Sequence, residues 1–334
     1  MSYGLQYLQS RTNISIKGDE YETITTYEIQ LIPEAELGRG SFAEVVLARW
    51  QGIMVAVKRM KRGQVREFKR ELDIWRGLQH DNIVPCYGAS LAADPPFIVL
   101  KYMQNGDLLQ YLRRTPDANR AKLLHDVALG LLFLHSKQVV HGDVKSGNVL
   151  IDDAGKACVT DFGLAIKYQP TGDGKDRSHP VGTLRFMAPE TITQGLRTYA
   201  SDVFAFGMLM YETYTHRLPH SDARDADVAS GKLVLSRPTS EQAISRGLND
   251  DVWDLHQSCT SPMPEKRLTA KMISAKLAEI MYTYVVDPSL PKLNFEIIAL
   301  PSSTSIHVQG SSYDASLLAV PSALSDGTSA SRKA

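Results

Sequence analysis

Residues 66–78 read REFKRELDIWRGL, with the spacing of a helix, and the apolar stripe of Phe68, Leu72 and Trp75 also holds Glu71. A carboxylate inside such a stripe is costly unless it is paired. A lone glutamate ordinarily sits in water at the stripe's edge. The nearest candidate partner is Lys58, which ends the apolar run MVAVK and is equally out of place there. Each residue makes the other less odd.

The lysine's run lies within FAEVVLARWQGIMVAVKRM, residues 42–60, where short β-branched stretches flank Gln51-Gly52. That pattern predicts a hairpin. Just ahead, LGRGSFAEV at 37–45 puts Gly38 and Gly40 before a strand. A glycine-rich turn lets backbone N–H groups approach phosphate oxygens without side-chain obstruction. Two glycines beside a hairpin are more often simply a turn. The third glycine of G-x-G-x-x-G is here Ala43.

Composition excludes several classes. The 334 residues are 43% hydrophobic and 22% charged, enough to fold around a sizeable core. Lys plus Arg equals Asp plus Glu at 37 each, which gives no bulk attraction to nucleic acid or a membrane surface. Cys86, Cys158 and Cys259 are too few and too scattered for a disulfide frame or zinc site, and a reduced, cytoplasmic setting fits them. No run approaches the roughly 18 apolar residues of a membrane span. By texture the chain divides into an N-terminal extension (1–30), a periodic apolar-rich part (31–285) and a tail (286–334). The tail is Ser-rich from Leu300 and without steady period, so it is expected to be mostly disordered.

A second helix is predicted over 117–135, with Leu124, Val127, Ala128, Leu131 and His135 on its inner face. HGDVKSGNVL follows at 141–150 and brings Asp143, Lys145 and Asn148 together. Then comes VTDFGLA, with Asp161 straight after a short apolar strand. Two carboxylates and an amide at strand-adjacent turns can bind a hard cation through oxygen. Each also has an ordinary reading, as a turn cap, a left-handed asparagine or a turn start.

In order and spacing these segments resemble the eukaryotic protein kinase family. The likeness covers about residues 31–285, and Leu37–Val45 resembles the glycine-rich loop. VAVK makes Lys58 similar to the phosphate-binding lysine and Glu71 to the helix glutamate that pairs with it. HGDVKSGN resembles H-R-D-x-x-x-x-N, while DFG at Asp161–Gly163 and APE at Ala188–Glu190 are intact. Asp202, in SDVFAFG, looks like the aspartate of the following helix, and Arg267 stands where the family pairs an arginine with Glu190. The wording around these motifs looks most like the tyrosine-kinase-like branch of Ser/Thr kinases, of fungal type.

The resemblance implies a two-lobed α+β fold, with a β-rich lobe at about 31–103 and a larger helical lobe at about 104–285. ATP and Mg²⁺ would bind between the lobes, and the γ-phosphate would pass to a Ser or Thr hydroxyl of a protein substrate. Asp143 would meet the acceptor hydroxyl, Lys145 the moving phosphate, and Asn148 and Asp161 the metal. Leu37, Gly38, Gly40 and Ser41 would cradle the phosphates. Val45, Ala56 and Leu150 would sandwich the adenine, Lys101-Tyr102-Met103 would form the hinge, and Leu100 would close the pocket behind it. Thr183 would bond toward Asp143 and Lys145. A regulatory partner of the tail is a further expectation, and the alternative activity is an inactive nucleotide-binding scaffold. One departure stands out, because Gly142 replaces the family's usual arginine. The phosphate receptor that this arginine provides for loop residues such as Thr171, Ser178 and Thr183 is therefore expected to be missing, unless Arg185 or Lys167 replaces it.

Overall fold

The computed structural model describes residues 24–40, 43–61, 63–168 and 182–285. Ser41, Thr171, Ser178 and the tail from residue 286 lie outside the described residues. The chain divides into two compact units, 1–290 and 291–334, and everything below concerns the first.

Five antiparallel strands open the fold: β1 (Ile29–Arg39), β2 (Ala43–Trp50), β3 (Ile53–Met60), β4 (Cys86–Ser90) and β5 (Phe97–Lys101), in the order β1-β2-β3-β5-β4. The turn between β2 and β3 is the expected hairpin. Gln51 and Gly52 have φ of 49° and 84°, the left-handed pair that matches strand twist. Alternation sorts β3 between two faces. Val55 and Val57 join Ala48, Phe97 and Val99 on one side, while Ala56 and Met60 join Ile98 and Leu100 on the other. Lys58 shares the parity of Ala56 and Met60, so it emerges on the second side. Helix α1 (Val65–Trp75) packs there through Phe68, Leu72 and Trp75. The folded part begins ahead of residue 31, because Ile24 is 2% exposed in the first face's cluster and its N–H donates to the Ala89 carbonyl at 3.1 Å.

The rest is mainly helical: α2 (Leu108–Arg114), α3 (Arg120–Ser136), α4 (Pro189–Gln194), α5 (Tyr199–Thr215), α6 (Asp225–Ala229), α7 (Glu241–Ser245), α8 (Asp250–Cys259) and α9 (Ala270–Val285). Helix α3 starts later than the expected residue 117 because the Asn119 side chain accepts from the Lys122 N–H at 2.9 Å and fixes the first turn there. Helix α5 is apolar on nearly every side and buried from Ser201 to Met210, the signature of a central helix. Between α3 and α4 run four short strands, β6 (Val139–Val140), β7 (Val149–Ile151), β8 (Ala157–Val159) and β9 (Ile166–Lys167). Pairing of β6 with β9 and of β7 with β8 clamps two loops side by side, the one holding Asp143 and the one holding Asp161. The two-lobed α+β architecture expected from the sequence is thus present. Among the described residues no helix is long and apolar enough to cross a membrane.

Candidate active site

Lys58 ends up between two carboxylates. Its Nζ lies 2.6 Å from Glu71 Oε1 and 2.8 Å from Asp161 Oδ1. Glu71 is 2% exposed, so the lysine, not water, is its partner. Burial alone would depress the Lys58 ammonium, but the two carboxylates outweigh it and hold the lysine above its usual range. Burial and the neighbouring Asp161 charge push Glu71 upward while Lys58 opposes them. The 2.6 Å contact pairs the two groups directly. Asp161 is also pushed upward by burial, yet Lys58 prevails and keeps its carboxyl below the ordinary carboxylate range. Its backbone is left-handed, with φ of 64°, an uncommon state for a residue with a side chain.

Asp143 sits at the centre of a second knot. Lys145 Nζ reaches its Oδ2 at 2.6 Å and Thr183 Oγ1 at 2.7 Å. The Thr183 N–H and hydroxyl both donate to Asp143 Oδ1 at 3.0 Å. Asn148 donates its amide N–H₂ to the Asp143 carbonyl at 2.8 Å and to Oδ2 at 3.0 Å. The amide nitrogen is thereby committed, and its oxygen is left as the available ligand atom. Beneath the loop, His141 is fully buried. Its Nδ1 accepts from the Asp143 N–H at 3.2 Å, so Nε2 carries the proton and meets the Thr160 carbonyl at 2.9 Å. Asp202 on α5 accepts the N–H groups of His141 and Gly142, each at 2.9 Å, and His135 Nε2 at 3.0 Å. A buried carboxylate tying down consecutive backbone donors makes a rigid loop.

The remaining expected residues line the lobe junction. Ala56, Leu100 and Met103 are buried, and Val45 and Leu150 are half-buried against the same core. Leu37 is exposed at the rim. Among the described residues, no atom lies within 4 Å of where a Cβ on Gly38, near the end of β1, would stand. Lys61 was not foreseen here, yet its Nζ donates to the Gly40 carbonyl at 2.7 Å. Lys101 ends β5 at the expected hinge. Its side chain turns away to Asp153 at 3.3 Å and Asp152 at 3.7 Å, and its N–H is spent on the Pro85 carbonyl, so only its own carbonyl is left to meet a ligand. The glycines ahead of β2, the held lysine and the two oxygen donors at Asn148 and Asp161 fit a nucleotide phosphate chain and a hard divalent cation. Below the site, Arg267 grips Glu190 with two bonds of 2.6 and 2.8 Å, both residues buried, as anticipated.

Neither Arg185 nor Lys167 is among the atoms nearest Gly142. Arg185 donates to the carbonyls of His220 and Ala223 and to Asp225, and Lys167 is exposed on β9. The cation beside Gly142 is Arg197. Its position in the chain gave no periodic or motif signal.

Residues 31–277 match the family described as protein tyrosine and serine/threonine kinase. The chain belongs to the protein kinase family. Its relatives include serine/threonine-protein kinase 12 of Arabidopsis thaliana, 30% identical over 79% of this chain and 59% of the relative. Serine/threonine-protein kinase VIK of the same plant is 32% identical over 78% of this chain and 62% of its own. Inactive tyrosine-protein kinase 7 of Mus musculus is 31% identical over 75% and 25%. Tyrosine protein-kinase src-1 of Caenorhabditis elegans and tyrosine-protein kinase Src64B of Drosophila melanogaster are each 31% identical. The chain therefore spans less than two thirds of the length of each of the first three relatives. The kinase lobes are those described above, with Lys58 and Glu71 from the sheet lobe facing Asp161 from the helical one.

Proposed function

We propose that this kinase transfers the γ-phosphate of ATP to Ser and Thr hydroxyls of protein substrates. The observation that carries the reading is the Asp143–Lys145–Thr183 triangle. An aspartate oxygen held by two donors accepts the proton of a substrate hydroxyl placed against it, a contribution of roughly 10²–10⁴-fold. The Lys145 ammonium, 2.6 Å from Asp143, offers positive charge on the side where a transferring phosphate would lie. A lysine here together with a threonine lid leaves a shallow site, which favours a short aliphatic hydroxyl over tyrosine. Lys58 holds the nucleotide's phosphates and Glu71 fixes Lys58. Asn148 and Asp161 supply oxygen ligands to Mg²⁺, which when bound neutralises phosphate charge and helps align the transfer. Val45, Ala56 and Leu150 hold the adenine, Leu100 closes the pocket, and the Lys101 carbonyl with Met103 completes the hinge.

The proposed setting is the cytoplasm, supported by three cysteines that form no disulfide, two of them buried. The tail is proposed to bind a regulatory partner. The test uses Lys58→Met and Asp161→Asn at saturating ATP. Each is expected to lose at least about 100-fold in turnover. Wild-type turnover in either would refute the assignment, and a wild type that binds ATP without turnover would instead be a scaffold.

A further inference from the structure

Gly142 breaks the loop's pattern, and its surroundings explain why. Its φ is 78°, and a Cβ built there would lie 3.0 Å from the Leu164 carbonyl oxygen. The same Cβ would lie 3.5 Å from Arg197 Cδ and 3.6 Å from its Nη1. Arg197 precedes the Thr198 cap of α5, is 6% exposed, and donates from Nη1 to the Leu164 carbonyl at 2.5 Å. It shares with Gly142, Asp143, Thr183 and Asp202 the lining of a cavity of about 20 Å³. The tight neighbour for a side chain at 142 is thus the Leu164 carbonyl oxygen, with the Arg197 guanidinium in van der Waals contact beside it.

Leu164 lies three residues beyond Asp161, whose left-handed backbone has to be held by its neighbours. The turn is short, with Ala165 N–H on the Phe162 carbonyl at 3.0 Å. A charge-assisted bond to the Leu164 carbonyl pins its far end. We infer that Arg197 is a positioning residue for the metal-binding turn: from beside Gly142 it locks Asp161–Leu164 against the catalytic loop. The inference rests on the reading of Asp161 as a metal ligand.

The experiment titrates a fluorescent ATP analogue into the full chain with and without Mg²⁺, for wild type, Arg197→Met, Arg197→Lys and Gly142→Ala. Hydrogen exchange of the amides at 163–166 is followed alongside. Arg197→Met is expected to bind metal-free nucleotide within about twofold of wild type and to lose about tenfold of the Mg²⁺-dependent gain, one hydrogen bond's worth of alignment. Its amides at 163–166 should exchange faster. Arg197→Lys keeps a cationic donor and should recover a clear part of both effects. Gly142→Ala presses on the Leu164 carbonyl that the guanidinium holds, and should shift both in the same direction as Arg197→Met. An Arg197→Met protein with wild-type Mg²⁺ gain and exchange overturns the inference, and so does a Lys variant as impaired as Met. If Arg197→Met does not fold, the Lys and Gly142→Ala comparisons decide it by the same criteria. If wild type shows no Mg²⁺ gain, the metal reading of Asp161 fails. The exchange rates then judge Arg197 alone, faster supporting it and unchanged refuting it.

Discussion

Buried charges organise this kinase residue by residue. Arg267 and Glu190 are both nearly sealed from water and joined by two bonds, and the guanidinium also lies 5.0 Å from the Phe204 ring centroid. Removing one partner leaves the other charge buried and uncompensated. Arg267→Met is expected to destabilise by about 3–5 kcal/mol in a denaturant titration. A cost under about 1 kcal/mol would show that the pair behaves like a surface bridge. The same logic made Lys58 and Glu71 legible in the sequence, since each was anomalous alone and the anomalies cancelled in a pair. Asp143, Asn148 and Asp161 were legible through their spacing. Arg197 was not, because it acts across space from a segment with no motif, and only the backbone of Gly142 shows where it goes. The turned-away Lys101 side chain was hidden for a similar reason, as its Asp152 and Asp153 partners lie on the β7–β8 turn.

At the scale of elements, the crossing of α5 and α8 shows how tightly the helical lobe is packed. A Cβ on Gly207 would come within 2.4 Å of Thr260 Cγ2 and 3.0 Å of Cys259 Cβ. Gly207→Ala should therefore cost about 1–3 kcal/mol through overpacking. His256 of α8 sits in the same contact, 3% exposed, with Nδ1 on the Gly207 carbonyl at 2.9 Å. Burial pulls its pKa down to about 4 from 6.5. In this case the folded value is the lower one, so the unfolded chain takes up the proton first as pH falls. The stability that His256 contributes should thus decline from about pH 6.5 to about pH 4 and then level off, by about 3 kcal/mol. Thermal melts across that range should show a shallower decline in His256→Gln, and an unchanged slope would contradict the assignment. Helices α1 and α3 were readable because their periodicity runs over three turns or more. Helices α6 and α7, five residues each, and the two-residue strands β6 and β9 were not, since so few residues carry no period and form only against their neighbours.

Over the whole molecule, the site exists only where the lobes meet. The sheet lobe contributes Lys58 and Glu71, the helical lobe Asp143, Asn148 and Asp161, and the 2.8 Å bond from Lys58 to Asp161 joins the two. The order of strands before helices was legible in the chain, but its starting edge was not. Residues 24–30 look polar, yet Ile24 covers one face of the sheet. The central claim is a Ser/Thr phosphotransferase built on Asp143. Its most direct test incubates the chain with Mg-ATP and a degenerate peptide array and identifies the phosphorylated residues by mass spectrometry, with Asp143→Asn as control. The account predicts phosphoserine and phosphothreonine from the wild type, and a loss of at least about 100-fold in the variant. Mainly phosphotyrosine, or an Asp143→Asn protein as active as wild type, would contradict it.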